Sequence, residues 1–143
     1  MAHKREEIRK AVLALLNTAV GEVYPTDAGA NVYANRVAPL WQSELPAILI
    51  YVRNETAVRR ALNSRQSLRN LNLVIEAYAE ANDAVDDQLD DLATQIENII
   101  SANPSLTATA LGAVLTETEI TLDDSGEKIL GKLTLNFEVQ YIE

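Results

Sequence analysis

A two-layer α+β fold follows from three observations on this 143-residue chain. Two segments repeat apolar residues at helical spacing. Several others show the alternation or the short continuous runs of strands. The order is helix, strands, helix, strands. Two helices packed on one face of a mostly antiparallel mixed sheet of about five strands is the economical way to bury both patterns. At 48% apolar residues, residues 1–143 suffice for one domain with one core.

Ile8, Ala11, Val12, Leu15, Leu16 and Ala19 keep the i, i+3, i+4, i+7 rule. They predict an amphipathic helix over about 4–19, stopped near Gly21 and Pro25. Val32-Tyr33-Ala34 reads as a short strand. Pro46 opens Ala47–Val52, an apolar run of strand length; a proline costs little at a strand's first residue, where its missing N–H is not needed. Leu71, Leu73, Ile75 and Ala77 alternate, which predicts a strand over 67–79. Asn82-Asp83 then reads as a helix start, with Asp83, Asp86 and Asp87 near the end where the helix dipole favours anions. Val85, Leu89, Leu92, Ile96, Ile99 and Ile100 form its buried stripe, and Asn103-Pro104 ends it. Two closing strands are expected, one over 113–122 and one alternating through Ile129, Leu133, Leu135, Phe137, Val139 and Tyr141. Asp123-Asp124-Ser125-Gly126 supplies the turn between them. Residues 53–66 are expected as a long mobile loop, because a compact hairpin does not need a connection of that length.

Charge is segregated along the chain. Asn70 to Glu127 contains thirteen carboxylates and no lysine or arginine. Immediately before it, Arg53, Arg59, Arg60, Arg65 and Arg69 share seventeen residues with a single acid, Glu55. Opposed charged surfaces steer and orient association, so these arginines, with Asp83, Asp86, Asp87, Asp90 and Asp91, are the candidate interface for a neighbouring subunit. The aspartates fall at spacings of three and four, on one helical side, and carry the oxygen ligands that hard cations take. They lack the alternate spacing around a glycine of a calcium loop. A solvated helix face that complements the dipole is the simpler reading. Like charges at i, i+4 repel, and a basic surface from another subunit would relieve them.

Composition removes most chemistry. Without cysteine there is no disulfide, thiolate nucleophile or thiolate metal site. The one histidine, His3, reads as an untethered terminal residue, so no base stands ready beside a nucleophile. Five scattered glycines build no phosphate-cradling loop. No catalytic, cofactor-binding or metal-ligating residue is therefore expected, and no enzyme activity. A net charge of −9 argues against specific nucleic-acid binding through phosphate neutralisation. No run approaches the roughly 20 apolar residues of a membrane span, and the charged start is unlike a secretory signal. Synthesis in the cytoplasm is expected.

Val32-Tyr33-Ala34-Asn35-Arg36, then Glu44-Leu45-Pro46-Ala47-Ile48-Leu49-Ile50-Tyr51-Val52 with Glu55, resembles the start of phage tail terminator proteins of the lambda minor tail protein U type. The likeness continues through Val74-Ile75-Glu76-Ala77-Tyr78, Leu89-Asp90-Asp91-Leu92 and Leu135-Asn136-Phe137-Glu138-Val139-Gln140-Tyr141. It spans nearly the whole chain, and its motifs are structural. It implies a subunit of a homo-hexameric ring at the head-proximal end of the virion tail, partnered by the tail tube protein and by a head-completion or connector protein. Such a ring ends tube polymerisation and presents the head-attachment surface. Another head–tail joining protein, or an oligomeric adaptor outside phage, would suit the same fold.

Overall fold

A computed structural model describes residues 3–21, 23–34, 45–59, 66–81, 84–106, 110–123 and 129–142. Among these residues, two helices and five strands follow in the order α1 (Lys4–Asn17), β1 (Val32–Ala34), β2 (Ala47–Arg59), β3 (Ser67–Ala81), α2 (Val85–Ala102), β4 (Gly112–Asp123) and β5 (Ile129–Ile142). They form one open sheet in the order β1-β2-β3-β5-β4. The β1–β2 pair is parallel and the other three are antiparallel. The α+β class, the mixed sheet and the two helices match the sequence expectation.

Side-chain parity decides which face the helices cover. In β3, Leu71, Leu73, Ile75, Ala77 and Ala79 are all buried; in β5, so are Leu133, Leu135, Phe137, Val139 and Tyr141. These rows pair across the ladder, Leu73 with Phe137 and Ile75 with Leu135. Ile8, Val12 and Leu16 of α1, and Val85, Leu89, Leu92, Ile96 and Ile100 of α2, join the same core. Ile99, expected in the stripe, is only partly buried, and Ala93 takes part instead. Both helices thus lie on one face, α1 over β1 and β2 and α2 over β3, β5 and β4. Gly131 lets α2 sit close: a Cβ there would lie 2.7 Å from Leu89 Cδ1 and 3.1 Å from Val85 Cγ2.

Three local expectations change. His3 is not untethered: its Nδ1 accepts from the Arg5 amide at 3.0 Å, capping α1, and its ring meets Tyr141 edge-on at 6.3 Å. The side chain thereby satisfies a donor that a helix start leaves open. At α2, the cap residue is Ala84 in the left-handed region, with φ of 57° and no side-chain cap. Asn82 and Asp83 lie outside the described residues, as does the turn at 124–126.

The third change matters most for function. The loop expected over 53–66 begins as strand: β2 continues to Arg59 and pairs residue by residue with β3 down to Arg59–Ser67. The polar residues of this stretch gave no alternation to read, because strand formation here rests on the β3 ladder rather than on a buried apolar face. A β-bulge interrupts β2 between Val52 and Asn54, and another interrupts β4 between Leu115 and Glu117. Since Val52 pairs with Leu73, Leu73 with Phe137 and Phe137 with Leu115, the two bulges flank one rung of the sheet from opposite sides.

Candidate assembly surfaces

The strands give the molecule two ends. At one, β2 finishes and β3 begins, Ile142 ends β5, Gly112 begins β4, and α1 starts beside them with Lys4 Nζ donating to the Ile142 carbonyl at 2.9 Å. At the other, β3 ends at Ala81, β4 at Asp123, and α2 begins over Gly131.

The first end is basic and is organised by Glu55. The bulge turns Glu55 onto the helix side, in register with Leu71. There Arg5 Nη1 donates to Glu55 Oε2 at 2.7 Å and Arg69 Nη1 to the same oxygen at 2.9 Å, while the Tyr141 hydroxyl donates to Oε1. Burial disfavours the ionised carboxylate, but the hydrogen bonds from Tyr141, Arg69 and Arg5 outweigh it and hold Glu55 below the usual carboxylate range. The Tyr141 phenol is pushed up by burial and then by its bond to Glu55. The lone acid among the arginines is thus already matched. Its two guanidiniums leave the Arg59 end with a cationic surplus. Arg60 and Arg65 lie outside the described residues, between the ends of β2 and β3 in the chain.

The second end is acidic. Asp86, Asp87, Asp90 and Asp91 are exposed on the first turns of α2. Asp91 and Gln88 line a shallow cavity with Asp27 and Pro46, and Asp27's amide donates to Gln95 Oε1 at 2.8 Å. Among the described residues, no three carboxylate or imidazole groups converge to hold a metal ion. No described helix is long and apolar enough to cross a membrane. The ion pairs of the basic end join Arg5 and Arg69 to Glu55, not to an α2 aspartate. Arg59 is level with Ser67 and Gly131 with Ala79, and twelve strand residues correspond to roughly 40 Å.

The open face holds residues the sequence pattern did not single out. Glu76 is buried there, accepting from the Tyr51 hydroxyl at 3.0 Å and the Tyr78 hydroxyl at 2.9 Å, with Lys132 Nζ at 3.8 Å. Burial and the Glu76 carboxylate both raise the Tyr78 phenol, and burial chiefly raises Tyr51. Asn136 is only 3% exposed, and its side-chain amide finds no hydrogen-bond partner among the described residues. Nearby, Asn54, Thr56, Asn70, Asn72, Thr116 and Glu138 line a shallow groove of about 230 Å³. The alternation of Val74, Glu76 and Tyr78 against the apolar row was the available signal, but it could not say that an uncovered face would bury a glutamate.

The described residues thus present a polar open face and ends of unlike charge. The chain belongs to the phage minor tail protein U family, whose model matches residues 3–141. It is a phage tail structural protein and a virion component. A chain of the virion of the native gene transfer agent particle is similar at 12% identity and a TM-score of 0.45, over 93% of this chain and 94% of that one. None of the curated proteins compared with the chain matches it.

Proposed function

We propose that this subunit forms a homo-hexameric ring on the head-proximal end of the tail tube, where it stops tube polymerisation and offers the surface that a head-completion or connector protein binds. The observation that carries this reading is the pair of unlike ends: Lys4, Arg5 and Arg69 around Glu55 at one, and Asp86, Asp87, Asp90 and Asp91 at the other. A subunit that ends a repeat needs one surface that matches the tube and one that does not. With the ring axis along the strands, the two ends become two axial faces of opposite charge. The Arg59 end of β2 then belongs to one axial face and the α2 aspartates to the other. The residues that face tube and head are therefore not the residues that join subunits side by side.

The test is tail length. In a phage lacking this gene, complementation with the wild type should restore tails of uniform length, and Arg59→Glu with Arg60→Glu should leave overlong tails in electron micrographs. Tails of normal length beside unattached heads, in the absence of the gene, would instead mark a joining protein and overturn the terminator reading.

A further inference from the structure

The lateral contact has its own candidates, and they are strand edges. Protein sheets normally blunt their edges with lysine, proline or very short strands. Edge strand β4 has twelve residues, GAVLTETEITLD, without lysine, arginine or proline. Among the described residues it pairs only with β5, and Val114, Ile120 and Leu122 on it are 65%, 51% and 49% exposed. At the opposite edge, β1 covers β2 only at Ile48–Ile50. Residues 51–59, YVRNETAVR, pair with β3 on one side and with no other described strand.

The two edges are opposite in sign. β4 carries Glu117 and Glu119. The open part of β2 carries Arg53, while its one acid, Glu55, is taken up by Arg5 and Arg69 within the subunit. Like charges hold two β4 edges apart and two β2 edges apart, so the charges select a head-to-tail pairing. Direction agrees. From β2 through β3 and β5 to β4 every step is antiparallel, which leaves β4 running opposite to β2. A copy generated by rotation about an axis along the strands therefore sets its β2 antiparallel to β4, the ladder geometry with the better hydrogen bonds. Height agrees to within two residues. Through Asn136 and Val74, Glu117 is level with Tyr51, so the same rotation sets Arg53, two residues further along β2, diagonally across from Glu117 of the next copy, within reach of a long side chain.

We infer that β4 of one subunit adds to the 51–59 segment of β2 in a second copy, with Arg53 diagonally across from Glu117, so that the sheet continues from subunit to subunit. This rests on the ring reading and names its lateral contact; such contacts are heterologous, as a closed ring requires.

Two measurements test it, both on the full chain under conditions where the wild type assembles. Hydrogen exchange should show the β4 amides of residues 112–122 slowing on assembly. Native mass spectrometry should show Glu117→Lys and Arg53→Glu each weakening the ring by about tenfold or more, since like charges then face one another, with the double exchange restoring it. Circular dichroism confirms that each variant is folded, and the exchange measurement needs no variant. Rings whose β4 amides exchange as fast as in the monomer overturn the strand addition and leave the ring intact. A Glu117→Lys variant that assembles as well as the wild type does the same. A wild-type chain that never assembles, alone or on tubes, overturns the ring reading and this contact with it.

Discussion

On the helix side of β3, Leu71, Leu73, Ile75, Ala77 and Ala79 are buried among apolar side chains, whereas the other side of the same strand places Val74 beside Glu76 and Tyr78. Both faces bury residues at their centre, but by different means. The helix side uses hydrocarbon from α1 and α2. The open side uses the long side chains of Tyr51, Tyr78 and Lys132 to screen a carboxylate. The first arrangement is non-directional and supplies stability in bulk. The second is directional and adds less net stability for each group buried. The helix side therefore explains why the chain folds, and the open side, edges and ends are what it presents outward.

That contrast breaks most visibly in the core. Leu89→Ala removes a fully buried side chain that also lies against Gly131, and should lower unfolding stability by about 2–5 kcal/mol in urea melts. Next comes the polar cluster on the helix side. Glu55→Gln deprives Arg5 and Arg69 of their carboxylate and should cost roughly 1–3 kcal/mol near neutral pH, the range for hydrogen bonds to charged groups. The sign with pH is fixed by the lowered folded-state carboxyl. Its contribution is fully present above the ordinary value of 4.5 and disappears as pH falls through the lower folded value. The gap in melting temperature between wild type and variant should therefore close in acid.

On the open face the effect should be smaller. Glu76→Gln keeps one acceptor for the tyrosines and should change stability by about 0.5–1.5 kcal/mol. It should also let Tyr78 ionise at lower pH than in the wild type, because the carboxylate that helps raise the phenol is gone. Ultraviolet titration reads this directly, and an unchanged tyrosine titration would mean that burial alone raises it. Smallest of all, Asp90→Asn on exposed helix surface should stay within about 0.5 kcal/mol of wild type. A larger loss would show that the aspartates serve the fold as well as the acidic end.

Where burial imposed a period, the sequence disclosed the element. The stripe Val85–Leu89–Leu92–Ile96 and the alternation Leu133–Leu135–Phe137 each have a single structural cause, contact with the other layer. The extension of β2 through Thr56 and Arg59 had no such mark, since its partners are a backbone ladder and an ion-pair cluster assembled from Arg5, Arg69 and Tyr141, up to 86 residues away along the chain. Charge segregation was legible in sequence; its direction was not. Only the topology shows that Arg59 and the α2 aspartates belong to opposite ends of the strands. Edge status is equally invisible in a one-dimensional pattern, because Thr118, Ile120 and Leu122 alternate as any half-buried strand does, whatever lies beside them.

The paired bulges have a consequence for counting. A bulge bends its strand and increases the local twist, and here one stands on each side of the central strands, the two flanking the Leu73–Phe137 rung. If the subunits close a ring as proposed, each is a tile with a built-in turn, and the angle that one tile contributes sets how many complete the circle. Deleting Thr116, the extra residue of the β4 bulge, flattens one side of that tile. In the proposed ring a flatter tile would need more copies to come round, so the mass of the assembly would measure an angle inside one chain.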